Sequence, residues 1–133
     1  MKKIAIVFIV FLLAGCTDNF DFAKAREVSG KGAQLIKDGN YRELSKLYSY
    51  DFSNSETPER REEKLKKIID ATGEIKEIKI IDTTDVKLND NYEALFRYKF
   101  FCSKVNVIAY FSIIKEKSDY YISKIRIEQE LGE

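Results

Sequence analysis

The hydrophobic period of this chain changes once, at Gly73, and that change limits the possible folds more than any other feature. Before Gly73, apolar and small residues recur at helical spacing; after it, they alternate with a period of about two. The segment YEALFRYKFFC places Tyr92, Ala94, Phe96, Tyr98, Phe100 and Cys102 on one face of a strand. Glu93, Leu95, Arg97, Lys99 and Phe101 take the other. In VNVIAYFSII, Val105, Val107, Ala109, Phe111 and Ile113 share a face, while Ile108, Tyr110 and Ile114 make the opposite face apolar too. EIKEIKIID (Glu74 to Asp82) and YYISKIRIE read as the first and last strands, with Val86-Lys87-Leu88 extending or following the first. Asn89-Asp90-Asn91, Ser103-Lys104 and KEKSD are the turns.

The half before Gly73 reads as three helices. Phe22, Ala25, Val28, Gly32, Leu35 and Ile36 form the first apolar stripe. Gly30 and Gly32 each weaken a helix by roughly 1 kcal/mol relative to alanine, so they imply a close neighbour or a bend. Gly39 supplies a left-handed stop after Lys37, and Asn40 caps the next helix. That helix carries Tyr41, Leu44, Leu47 and Tyr48. DFSNSETP reads as a loop, and Thr57-Pro58 as a cap followed by proline at the first helical position. In PERREEKLKKIIDATG only Leu65, Ile68, Ile69 and Thr72 interrupt the charges. Its charge run reads as a solvated face, with Arg60-Arg61 as an anion site the sharper alternative.

These elements predict an α+β domain over residues 22–133, with N-terminal helices packed on an antiparallel meander sheet. Three features carry a family resemblance: GNYRELSKLY, the passage from Leu65 to Gly73 into the first strand, and the closing YYISKIRI. In this order the chain resembles the nuclear-transport-factor-2-like, or cystatin-like, domains of small bacterial lipoproteins. The resemblance implies a strongly curved, cone-like sheet wrapping the helices, often around a pocket. It departs at Tyr120-Tyr121, where such domains often carry a tryptophan. Enzymes of this fold line the cone with Asp, His or Tyr, and this chain has no histidine.

The leader is a separate unit. Lys2 and Lys3 precede an uninterrupted apolar run from Ile4 to Ala14, the layout of a secretory signal peptide over residues 1–15. The run is shorter than the roughly 20 residues a helix needs to cross a bilayer. Leu13-Ala14-Gly15-Cys16 resembles the lipobox of bacterial lipoproteins. That resemblance implies a diacylglycerol on the Cys16 thiol, cleavage before it, and an anchor in the cell membrane or outer membrane on the exported side. Thr17, in place of aspartate, is compatible with outer-membrane sorting. Residues 16–21 are then a short tether, holding the domain close to the bilayer. Phe20 and Phe22 either touch the membrane or pack on the fold, with packing favoured for Phe22.

Removal of residues 1–15 leaves 118 of the 133 residues, with 21 basic and 22 acidic side chains. A near-neutral chain lacks the basic footprint of a nucleic-acid binder. The absence of histidine removes His-based triads and the commonest metal ligand, so no cofactor or metal is expected. Cys102 has no intramolecular partner in the mature chain and is read as a core thiol. Asp82, Asp85 and Glu93 are the carboxylates nearest the strands, ordinary as turn or surface acids. Arg97 has Glu93 as a candidate surface partner. The sequence favours a non-catalytic, lipid-anchored protein with an envelope protein as partner. The alternative is a pocket for a small apolar or lipid-like ligand, lined by Tyr41, Tyr48, Tyr92, Tyr98 and Tyr110.

Overall fold

Local capping chemistry sets the helices. The computed structural model describes residues 20–88 and 91–130, with side chains for all of these except 85–88 and 91. The signal peptide and lipobox expected over residues 1–16 lie outside the described residues. Helix α1 spans Phe22–Asp38: the Asp21 carboxylate accepts from the N–H groups of Ala23 and Lys24, and Gly39 ends the helix at φ 73°. Asn40 caps the short α2, Tyr41–Ser45. Segment DFSNSETP does not stay a loop. Ser49 accepts from the Phe52 N–H and starts α3, Tyr50–Ser55. Thr57 then caps α4, Pro58–Thr72, with proline in its first turn as expected.

Strands β1 (Ile75–Leu88), β2 (Asn91–Cys102), β3 (Val107–Glu116) and β4 (Asp119–Gln129) form one antiparallel sheet in the order β1-β2-β3-β4. Strand β1 runs on through Val86–Leu88 and pairs with β2 along its length. The β2 alternation holds throughout: Ala94, Phe96, Tyr98 and Phe100 are buried. Strand β4 breaks its alternation at Ser123, where the register slips so that Ile113 faces Ile122 while Phe111 faces Ile125 and Ala109 faces Ile127. This bulge turns Ile122, Ile125 and Ile127 to the same side.

The cone-like, strongly curved sheet expected from the family resemblance is not present. The sheet is open, neither closed nor strongly curled, with β1 and β4 as its edges. Four strands at about 4.8 Å spacing make a sheet about 15 Å wide. A helix with its side chains is about 10–12 Å across, so this sheet covers one helix and cannot wrap it. Helix α1 fills that place with its small-residue face of Ala25, Ser29, Gly32 and Ala33, together with Ile36. A Cβ on Gly32 would lie 2.9 Å from Ile122 Cδ1 and 3.4 Å from Phe111 Cε1. The glycine therefore permits the close approach anticipated from the sequence. Phe96, Phe100, Phe111, Leu44, Ile113 and Ile122 complete the fully buried core.

Candidate binding cleft

Residues 47–49 run beside β4: the Ile122 N–H donates to Leu47 O at 2.7 Å, and the Ser49 N–H donates to Ile122 O at 2.8 Å. This pairing fixes Tyr48 over the sheet and starts α3 beside it. Helix α4 returns on the other side. Between α3, α4 and the half of β4 beyond the bulge lies an open cleft of about 180 Å³. Tyr48, Phe52, Leu65, Ile68, Ile125 and Ile127 give it apolar walls, and Glu56, Arg61 and Lys64 give it a charged rim.

Arg61 is the floor piece. Its guanidinium lies 3.5 Å from the centre of the Phe52 ring and 5.5 Å from that of Tyr48. Nη2 donates to Phe52 O at 2.7 Å and to Ser55 Oγ at 2.6 Å. Its side chain keeps only 15% of its exposure, and Nε is buried without a hydrogen-bond partner. Glu56 gathers three cations: Lys64 Nζ at 2.5 Å, Arg60 Nε at 3.2 Å and Arg61 Nη1 at 3.7 Å. The hydrogen bond from Lys64, with these charges, holds the Glu56 carboxyl below its ordinary range. Burial pushes the Tyr48 phenol up to about 12, against the opposing pull of Arg61. At neutral pH the cleft thus has a neutral tyrosine wall and three cations around one carboxylate.

The five tyrosines grouped by the sequence do not converge. Tyr48 lines the cleft. Tyr98 is buried under α1, its hydroxyl 2.6 Å from Ser29 Oγ, and its ring meets Phe111 edge-on. Tyr41 is half-buried at the start of α2; burial raises its phenol, Lys66 lowers it, and Glu62 and Asp70 add to the rise. Tyr92 stacks on Phe20 at 5.1 Å and does not line the cleft. Tyr110 is on the outer sheet face with Arg126 4.3 Å from its ring centre.

The carboxylates also find other roles. Arg97 pairs not with Glu93 but with Asp82 across the strands, its Nε donating to Oδ1 at 2.7 Å and Nη2 meeting Oδ2. Four residues along a strand span about 13 Å, whereas Asp82 stands directly opposite in register. The hydrogen bond from Arg97 lowers the Asp82 carboxyl pKa, and Asp82 with Tyr110 raises that of Arg97. Asp85 pairs with Ala94 through the β1–β2 ladder, and its side chain lies outside the described residues. Glu93 is half-buried on the outer face of β2, opposite Ile114. Cys102 is half-buried, and burial raises its thiol pKa, with Thr72 opposing.

Sequence reasoning missed Phe52, Glu56, Ile125 and Ile127 as a group. The signals were present: Ser49 three residues before Phe52 is a cap, and the Ile122–Ile125 spacing in a strand requires a bulge. Among the described residues, no three His, Cys, Asp or Glu side chains gather as metal ligands would. No described helix is long and apolar enough to cross a membrane. No protein-family model matches the chain, and no curated protein matches it in sequence.

Proposed function

We propose that this chain is a lipid-anchored, non-catalytic binding protein of a bacterial envelope. In this reading Cys16 carries a diacylglycerol, residues 1–15 are removed, and the cleft receives part of an envelope protein. The cleft is the observation that carries the binding role. At about 180 Å³ it is smaller than the roughly 300–1,000 Å³ typical of small-ligand pockets. It suits one apolar side chain of a partner, the kind of buried anchor that dominates protein interfaces. Arg60, Arg61 and Lys64 around Glu56 favour an acidic residue beside that anchor.

Two observations support a non-catalytic reading. Asp82 is held ionised by Arg97, the opposite of the raised pKa that equips a carboxylate as a general base near neutrality. Glu56 is likewise lowered by its cations.

A photoreactive amino acid at Ile68, inside the cleft, tests the binding role in living cells, with Lys67 on the exposed face of α4 as control. One discrete protein adduct from Ile68, absent from Lys67 and lost on Lys64→Glu, is expected. No adduct, or the same adducts from both positions, refutes the reading.

A further inference from the structure

The described chain begins inside an aromatic cluster. Phe20 stacks on Tyr92 with ring centres 5.1 Å apart and meets Phe22 and Tyr120 edge-on, each at 5.0 Å. The Asp21 N–H donates to the Tyr120 hydroxyl at 2.6 Å. Residue 20 is therefore fixed to the sheet by the rings of Tyr92 and Tyr120 and by the hydrogen bond of its neighbour Asp21. Both rings pack on the fold: Phe22 meets Phe20 and Tyr92 edge-on but remains 40% exposed.

Pairing shows which end of the sheet this is. Tyr120 pairs with Lys115, and the β3–β4 hairpin turns beyond them between Glu116 and Asp119. Tyr92 follows directly on Asn91, which pairs with Leu88 at the other hairpin end. Tyr50, 74% exposed, is tied to the same end because its N–H donates to Glu116 Oε1 at 3.2 Å. Phe22 and Tyr50 are thus two large exposed rings at the end where the chain emerges from the leader. Lys115 and Lys117 stand there with Glu116 and Asp119, a mixed set of charges that makes no anion site.

We propose that this end is a membrane-seating surface, with the Phe22 and Tyr50 rings lying in the interfacial layer of the bilayer. The inference rests on the lipid-anchor reading: an acyl group on Cys16 leaves at most about 14 Å of extended chain before Phe20. A tyrosine ring, apolar with a wet hydroxyl, favours the headgroup level, and the phenylalanine adds apolar area beside it. Because Phe20 is fixed, that short reach presents this end, and no other, to the bilayer. Ile127 lies seven residues along β4 from Tyr120, about 23 Å at 3.3 Å per residue. The cleft runs from Phe52, two residues beyond Tyr50, to Ile127, so its Ile127 end is the part held away from the membrane.

The chain contains no tryptophan, so Phe22→Trp, Tyr50→Trp and Lys104→Trp each install a sole indole reporter. Tyr50 and Lys104 are exposed, which keeps the test valid if Phe22→Trp perturbs folding. The acylated full chain is reconstituted in zwitterionic vesicles with phosphatidylcholine brominated on its acyl chains, a contact quencher. Emission from Phe22→Trp and Tyr50→Trp falls about twofold, as an interfacial indole requires, while Lys104→Trp is unchanged. Acylated, vesicle-bound protein with none of the three reporters quenched overturns the seating and leaves the anchor standing. Protein without an acyl mass increment that fails to float with vesicles overturns both.

Discussion

Arg61 offers the sharpest perturbation of the cleft, because its environment fixes what its loss should cost. The guanidinium donates to Phe52 O and Ser55 Oγ, and a charged donor contributes about 1.5–3 kcal/mol net per hydrogen bond. Its stacking on Phe52 adds about 1 kcal/mol. Against this stands the buried, unpartnered Nε, whose desolvation costs about 1–3 kcal/mol and disappears with the side chain. Glu56 is not orphaned by the change, since Lys64 and Arg60 remain. Taking the lower hydrogen-bond value, Arg61→Ala destabilises by about 1–3 kcal/mol. In urea, where a small domain loses about 1–3 kcal/mol per molar, the midpoint falls by roughly 1 M with an unchanged slope. Arg61→Lys keeps the charge but loses the planar fork and the stack, and costs about 1–2 kcal/mol. If Arg61→Ala shifts stability by less than about 0.5 kcal/mol, the guanidinium is not the floor of the cleft, and its placement there is wrong.

Three further outcomes follow from particular positions. Gly73 has φ 87° and ψ 176°, and an added Cβ would meet Ser103 Oγ at 2.1 Å and the Lys104 nitrogen at 2.9 Å. Gly73→Ala should cost about 3 kcal/mol or more, whereas Gly39→Ala, with φ 73° and open space around it, costs about 1 kcal/mol; equal losses on denaturation would refute this. Tyr48 is a neutral phenol with its pKa raised to about 12, so its contribution is complete below the unfolded value near 10 and is lost as pH rises through 12. Two units correspond to about 2–3 kcal/mol, and Tyr48→Phe should reduce the fall in urea midpoint across that window; an unchanged fall contradicts the burial. In a Cys16→Ala chain Cys102 is the sole thiol. Its partial burial and raised pKa predict slower disulfide-reagent labelling at pH 8 than in the denatured chain, and equal rates would contradict its placement.

Local signals were the legible part of this fold. The alternation in β2, the glycine stop at Gly39 and the Thr57-Pro58 start all depend on neighbours within a few residues. Curvature depends on the whole sheet, so the element order shared with cone-shaped domains could not determine it. The Ser49-capped helix was hidden by the polar composition of residues 51–58. Strict alternation through YYISKIRIE turned Ile125 and Ile127 outward, until the bulge at Ser123 returned them to the helices. The tyrosine grouping failed for a simpler reason. Tyr110 has the opposite parity to its neighbours Ala109 and Phe111, so it could not share an inner pocket with Tyr98. Four-residue spacing pairs charges on a helix but not on a strand, which is why Arg97 reaches Asp82 rather than Glu93.

The cleft and the seating surface both require the chain to be held at a membrane by Cys16, and the intact mass of the protein extracted from membranes measures that directly. The account predicts a 118-residue chain beginning at Cys16 and carrying a diacylglyceryl group, with the modification abolished in Cys16→Ala. An unmodified 133-residue chain of 15.5 kDa, or a cleaved chain with a free Cys16 thiol, would contradict it.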